Sequence, residues 1–169
     1  ISGNGGSGNL QKGGGVLCEG TPNAIFIDGS IIYNGNANIG LAPFMGGGIF
    51  VGPAPFDSSS SFYAQLINVN IFSNVSRMWG GGVAGSGISI SGGTIKENTA
   101  TYFGGGVYQG GHIYSLGNID FSLLNRVSVF SNTVDDSNAT GNDIFTESFL
   151  DVVLDTFTVM NPTDYYCTP

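Results

Sequence analysis

Residues Gly80–Val107 read GGGVAGSGISISGGTIKENTATYFGGGV, opening and closing on one signature, three glycines and a β-branched residue, 24 residues apart. Between the two lie short alternating runs, Ile88-Ser89-Ile90 and Thr94-Ile95-Lys96, separated by Gly and Asn, with no helical periodicity. A repeat of that length, built of short strands and glycine corners, is the size of one coil of a β-solenoid.

The signature recurs on both sides of this stretch. It appears as Gly13-Gly14-Gly15-Val16, Gly46-Gly47-Gly48-Ile49, Gly80-Gly81-Gly82-Val83 and Gly104-Gly105-Gly106-Val107, with a degenerate fifth copy at Gly141-Asn142-Asp143-Ile144. The intervals are 33, 34, 24 and 37 residues. A second landmark keeps step with the first: a β-branched residue followed three positions later by Asn, as Ile31…Asn34, Ile71…Asn74, Ile95…Asn98 and Val129…Asn132. Each falls once per interval and precedes the next glycine cluster. The two landmarks predict an all-β fold, a β-solenoid of about five coils.

The physical reason for each landmark is separable. Coils stacked at the inter-strand spacing of ~4.8 Å place equivalent residues in columns. Glycines in a column leave room where a Cβ would strike the next coil. Asn side chains in a column hydrogen-bond along the stack and suit the left-handed backbone of a sharp corner. Asn34, Asn74, Asn98 and Asn132 are therefore expected to form a structural Asn ladder, and the Ile and Val positions an interior aliphatic stack.

Departures from the 24-residue repeat read as loops projecting from a single domain covering 1–169. The expected organisation is a leading turn at 1–12, regular coils over 13–145 with loops at 53–61 and 133–140, and a last coil with a C-terminal tail over 146–169. Residues 35–45 delay the return of the signature in the first coil in the same way.

Composition narrows the function classes. Glycine is 29 of 169 residues without a three-residue period, which excludes collagen, and 41% hydrophobic content argues against disorder. Only 9% of residues are charged, so Asn, Ser, Thr and glycans are left to carry solubility. Lys12, Arg77, Lys96 and Arg126 are the whole cationic set in a chain of net charge −8, too few to track a phosphate backbone, so nucleic acid is not expected as a partner. No apolar run is long enough to span a membrane. No signal peptide is visible, and the sequence opens at Ile1 without Met, as a processed or partly ordered chain would.

The glycine clusters alternating with Asn-bearing turns resemble right-handed parallel β-helix proteins of the pectin-lyase-like superfamily. They are most similar to non-enzymatic surface repeats such as the passenger domains of chlamydial polymorphic membrane proteins. Those carry Gly-Gly-Ala-[ILV] and Phe-x-x-Asn in alternation. The matching positions here are Gly46 to Ile49, Gly80 to Val83 and Gly104 to Val107, with Asn34, Asn74, Asn98 and Asn132 for the second element. Here the third position is Gly rather than Ala, and Ile or Val stands in place of Phe. The resemblance implies an extracellular or cell-surface location and a role in adhesion or display.

The same fold carries polysaccharide lyases and hydrolases, so chemistry has to be sought. A glycosidase needs paired carboxylates spaced for acid and water activation. Asp135-Asp136 is the adjacent pair, in a polar insertion that reads as a solvated loop. His112, the sole histidine, reads as a turn residue. Arg126 is a lyase-base candidate by its place on an expected strand, without an acid cluster around it. No catalytic residue, metal or cofactor is accordingly expected. Two sequons, Asn74-Val75-Ser76 and Asn138-Ala139-Thr140, are glycosylation candidates; Asn138 sits in a loop, whereas Asn74 has a ladder position.

The two cysteines, Cys18 and Cys167, fall in the first coil and just after the last. About four coil spacings give roughly 19 Å between them, beyond the ~7 Å limit for a bridge. An intrachain bond therefore requires residues 160–167 to run back along the stack; otherwise Cys167 of one copy meets Cys18 of the next. With uncapped strand edges at the ends, the expectation is a non-catalytic subunit of a head-to-tail extracellular filament or surface fibre. A carbohydrate-binding or polysaccharide-cleaving module is the competing expectation.

Overall fold

The computed structural model describes residues 1–3, 12–19, 23–35, 42–52, 63–110, 117–120, 125–147, 150–153 and 165–167. Among the described residues the fold is all-β, with no helix, hence none long and apolar enough to cross a membrane. Strands are numbered along the chain. One sheet holds, side by side, β1 (Val16–Glu19), β3 (Ile49–Gly52), β5 (Val83–Gly85), β8 (Val107–Gln109), β12 (Ile144–Thr146) and β14 (Tyr165–Cys167). A second holds β2 (Asn23–Ile32), β4 (Tyr63–Phe72), β6 (Ile88–Lys96), β9 (Gly117–Asp120) and β13 (Leu150–Val153), with β10 (Ser128–Phe130) on the second half of β6. A two-stranded sheet pairs β7 (Thr99–Ala100) with β11 (Thr133–Val134).

Every pairing is parallel, and spatial order follows chain order in each sheet. Parallel neighbours need a crossover, ordinarily a helix. Here a strand of the other sheet makes it, so one repeat contributes one layer to both sheets. The register is set by the two landmarks: Val16, Ile49, Val83, Val107 and Ile144 form one column, and Ile31, Ile71, Ile95 and Val129 another. Apart from the half-buried Val16, these residues are at most 3% exposed, and together with Leu66, Ile90 and Ile119 they make the core. Each such side chain contributes about 1.5–3 kcal/mol by burial.

The first glycine of each cluster adopts the left-handed conformation, with φ from 60° to 70° at Gly13, Gly46, Gly80, Gly104 and Gly141. A second left-handed column bends the long strands: Asp28, Asn68 and Gly92 stand at one register position in β2, β4 and β6. The Asn68 amide donates to Asp28 Oδ1 at 2.8 Å across that bend.

Three expectations change in detail. The first sheet carries a sixth strand, β14, beyond the five glycine-led layers. The segment 133–140 is only partly a loop: Thr133 and Val134 pair with Thr99 and Ala100, and the turn follows them. The extra length of the fourth layer sits elsewhere. Val107 aligns with Val83 and Ser128 with Thr94, so ten of the thirteen additional residues fall between those positions, and three between Asn132 and Gly141. Asn118 aligns with Ser89, so five of those ten precede β9 and five separate β9 from β10, where Val127 N–H donates to Asp120 C=O at 2.9 Å across the base. The loop expected at 53–61 lies outside the described residues, as do 4–11 of the leading turn.

Candidate functional site

The most completely built polar feature is a column of buried amides. Asn34 donates from its backbone N–H (2.9 Å) and from Nδ2 (3.0 Å) to Oδ1 of Asn74. Asn74 donates in the same way to Asn98 (3.0 and 2.9 Å), and Asn98 to Asn132 (3.0 and 2.9 Å). The second Nδ2 proton turns back one layer, from Asn74 to Ile31 C=O, Asn98 to Ile71 C=O and Asn132 to Ile95 C=O, at 2.9–3.1 Å. The β-branched residue three positions before each Asn is thus the residue whose carbonyl the next layer's Asn satisfies, which explains their fixed spacing. The left-handed corner belongs to the preceding residue, not to the Asn itself: Tyr33, Ser73, Glu97 and Ser131 have φ of 54–57°.

The third glycine of each cluster makes this column possible. A Cβ on Gly82 would stand 3.0 Å from Asn98 Nδ2 and 2.7 Å from Gly106 C=O; Gly15, Gly48 and Gly106 face Asn34, Asn74 and Asn132 alike. In the fifth layer Asp143 occupies the third-glycine position. Its buried Oδ1 accepts from Asn132 N–H (3.0 Å) and Nδ2 (2.7 Å). Among the described residues Asp143 therefore gives Asn132 the acceptor that the next Asn gives in the earlier layers, and is the last rung of the column.

The first layer is built differently from those after it. Val16, Cys18, Ala24 and Phe26 take inward register positions yet are only partly buried, whereas their partners Ile49, Val51, Ala64 and Leu66 are at most 1% exposed. Outward-facing Leu17, Ile25 and Ile27 are 51%, 59% and 60% exposed. Cys18 is a free thiol, raised above its ordinary pKa by burial. Cys167 holds the same register column at the far end of the sheet: Cys18, Val51, Gly85, Gln109, Thr146 and Cys167 are successive partners. Five spacings put the two about 24 Å apart. An intrachain bridge through a tail that runs back along the stack is therefore overturned, because the tail adds a sixth strand instead.

The outer face of the first sheet carries aromatic residues. Trp79 stacks on Tyr108 at 5.3 Å, Tyr108 on Phe145 at 5.7 Å, and Phe103 on Phe145 at 4.5 Å. Beside them runs a groove of about 340 Å³, walled by Met45, Phe50, Trp79 and Tyr108, with Lys12 and Glu147 from the first and fifth layers at its rim. Lys12 pairs with Glu19 at 2.6 Å and lies over the Phe50 ring. Tyr108 is held well above the ordinary tyrosine pKa by burial first, then by its hydrogen bond to Glu147 and that residue's charge. The sequence reading missed this face, although a signal was there: Met45, Trp79 and Phe103 each immediately precede a glycine triplet.

The remaining candidates scatter. Asp135 is exposed, and Asp136 accepts from Asn138 N–H at 2.8 Å inside a turn, so the pair does not converge on a groove. Arg126 is exposed and precedes β10 rather than lying on a strand. His112 lies outside the described residues. Asn138 is exposed; Asn74 is fully buried with its amide bonded in the ladder, so glycosylation there is incompatible with the fold. One acidic juxtaposition escaped the sequence reading: Asp120 and Asp151 stand on neighbouring strands β9 and β13, two register positions apart. Among the described residues no group of three or more His, Cys, Asp or Glu is placed to hold a metal.

No protein-family model, no curated protein and no solved structure matches the chain.

Proposed function

We propose that the chain is a right-handed parallel β-helix acting as a structural subunit, stacked head to tail into an extracellular filament or surface fibre, without catalysis. The observation that carries this reading is the open first layer: Val16, Cys18, Ala24 and Phe26 face inward but lack the cover that seals their partners one layer on. A stack of parallel layers ends in unpaired strand edges, which recruit another chain unless capped. The same surface meeting the opposite end of the next copy is a heterologous contact, which propagates instead of closing. An exterior supplied with Asn, Ser and Thr rather than charge, and an exposed sequon at Asn138, support a location outside the cell. Analytical ultracentrifugation across a concentration series, with negative-stain microscopy, tests the reading. Species lengthening with concentration are expected; a monodisperse monomer at high concentration removes it.

A second reading, glycan binding, is favoured by the groove beside Trp79 and Tyr108, since aromatic faces and a rim of opposite charges suit sugar rings and their hydroxyls. Trp79 is the sole tryptophan, so its fluorescence reports occupancy directly. Titration with neutral and acidic oligosaccharides that leaves the emission unchanged excludes this use of the groove. Cleavage of the same oligosaccharides, abolished by Asp120→Asn, would reopen the enzymatic reading.

A further inference from the structure

We infer that β14 of one copy docks alongside β1 of the next, parallel and in the register that sets Cys167 against Cys18, and that oxidation joins the pair by a disulfide. This rests on the stacking reading above and adds to it the register and the covalent chemistry of the contact. The chain has two cysteines, and both occupy one register column of the six-stranded sheet, at its first and last strands. Within one copy five strand spacings, about 24 Å, keep them apart. Across a stacked junction that continues the same column they become neighbours at one spacing, ~4.8 Å between Cα atoms, inside the 4.4–6.8 Å range that disulfides require. A junction slipped by one residue brings Cys167 level with Leu17 or Glu19 and exchanges inward for outward positions along the strand.

The rest of the junction agrees with that register. Tyr166 meets Leu17, the half-exposed first member of the outward column that runs on through Phe50, Ala84, Tyr108 and Phe145. Among the described residues β1 pairs with β3 alone and β14 with β12 alone, so each end presents one unpaired edge to the other. Two thiols lose two protons and two electrons as the S–S bond forms. The electrons pass to a disulfide oxidant such as oxidised glutathione, which leaves as two thiols.

The test uses the purified full chain incubated with oxidised glutathione and run on denaturing, non-reducing gels. Wild type is expected to give a ladder of dimer, trimer and longer species that collapses on reduction. Cys18→Ser and Cys167→Ser are each expected to stay monomeric, while an equimolar mixture of the two gives dimer and nothing longer. Dimer from either variant alone indicates like-with-like pairing and overturns the inference, as does a wild-type monomer whose mobility changes on reduction. Ultracentrifugation under reducing conditions separates the two levels. Assemblies without a covalent ladder refute the cysteine register and leave stacking intact, whereas monomer under both conditions removes both.

Discussion

Replacing Asn98 by Ala tests whether the amide column holds the layers together. The Asn98 side chain accepts from Asn74 N–H at 3.0 Å and donates to Ile71 C=O at 3.0 Å; both groups belong to the layer before it. Truncation leaves both without those partners in a fully buried position. Each orphaned backbone group costs about 1–3 kcal/mol, so the loss is about 2–6 kcal/mol before any cavity term. A domain stable by ~5–15 kcal/mol loses a large fraction of its margin. Asn34→Ala at the start of the column is the control, since Asn34 N–H still donates to Asn74 Oδ1; it is expected to cost about 1 kcal/mol. Urea unfolding followed by circular dichroism and by Trp79 fluorescence measures both. In a stack where layers contact only their neighbours, damage in the middle also splits the transition, so the two probes should separate for Asn98→Ala. A cost within ~0.5 kcal/mol of the control would mean that water or relaxation serves Asn74 and Ile71 equally well, and that the column carries no special stability.

Further outcomes follow from other positions. Asp143→Asn keeps an Oδ1 acceptor for Asn132 and is expected within about 1 kcal/mol of wild type, whereas Asp143→Ala costs about 2–4 kcal/mol in the same urea assay. Gln109 is 1% exposed and both its side-chain polar atoms lack a partner among the described residues. Gln109→Met, of similar length, is therefore expected to stabilise by about 1–2 kcal/mol, read as a higher urea midpoint at unchanged slope. Tyr108 titrates higher folded than its unfolded value of about 10, so its contribution is complete below pH ~10 and declines as pH rises towards the folded value. Tyr108→Phe should flatten the loss of stability that wild type shows as pH rises above ~10.

The glycine clusters and the Asn positions were legible because each answers the other sterically: the third glycine of a cluster leaves the space that an Asn amide fills. What escaped was whatever the repeat could not count. The insertions on either side of β9 are invisible to spacing, since a long interval says how many residues are extra but not which gaps receive them, and the turn-rich segment 133–140 offered a more obvious place. Tyr165–Cys167 follows a proline that breaks the pattern, yet a parallel edge accepts any short extended segment through its backbone. The aromatic face went unread because Met45, Trp79, Phe103, Phe50, Tyr108 and Phe145 differ in identity, although each stands immediately before a glycine triplet or two residues after one of the glycine clusters. Asp143 was visible as a flaw in the fifth cluster; only its hydrogen bonds to Asn132 make it a substitute.

That substitution gives the repeat a direction of growth. An amide both receives and passes on a hydrogen bond, so a layer bearing Asn can be copied in tandem and inserted before or after another such layer without disturbing its neighbours. A carboxylate only receives. Once Asp143 has taken the two protons of Asn132, it has none to hand forward. Lengthening by duplication is thus permitted anywhere from Asn34 to Asn132 and blocked at Asp143. The short layer that begins at Gly80, with its 24-residue span, is the smallest unit such copying can use. Chains lengthened in this way would differ by whole layers on the amino-terminal side of Asp143.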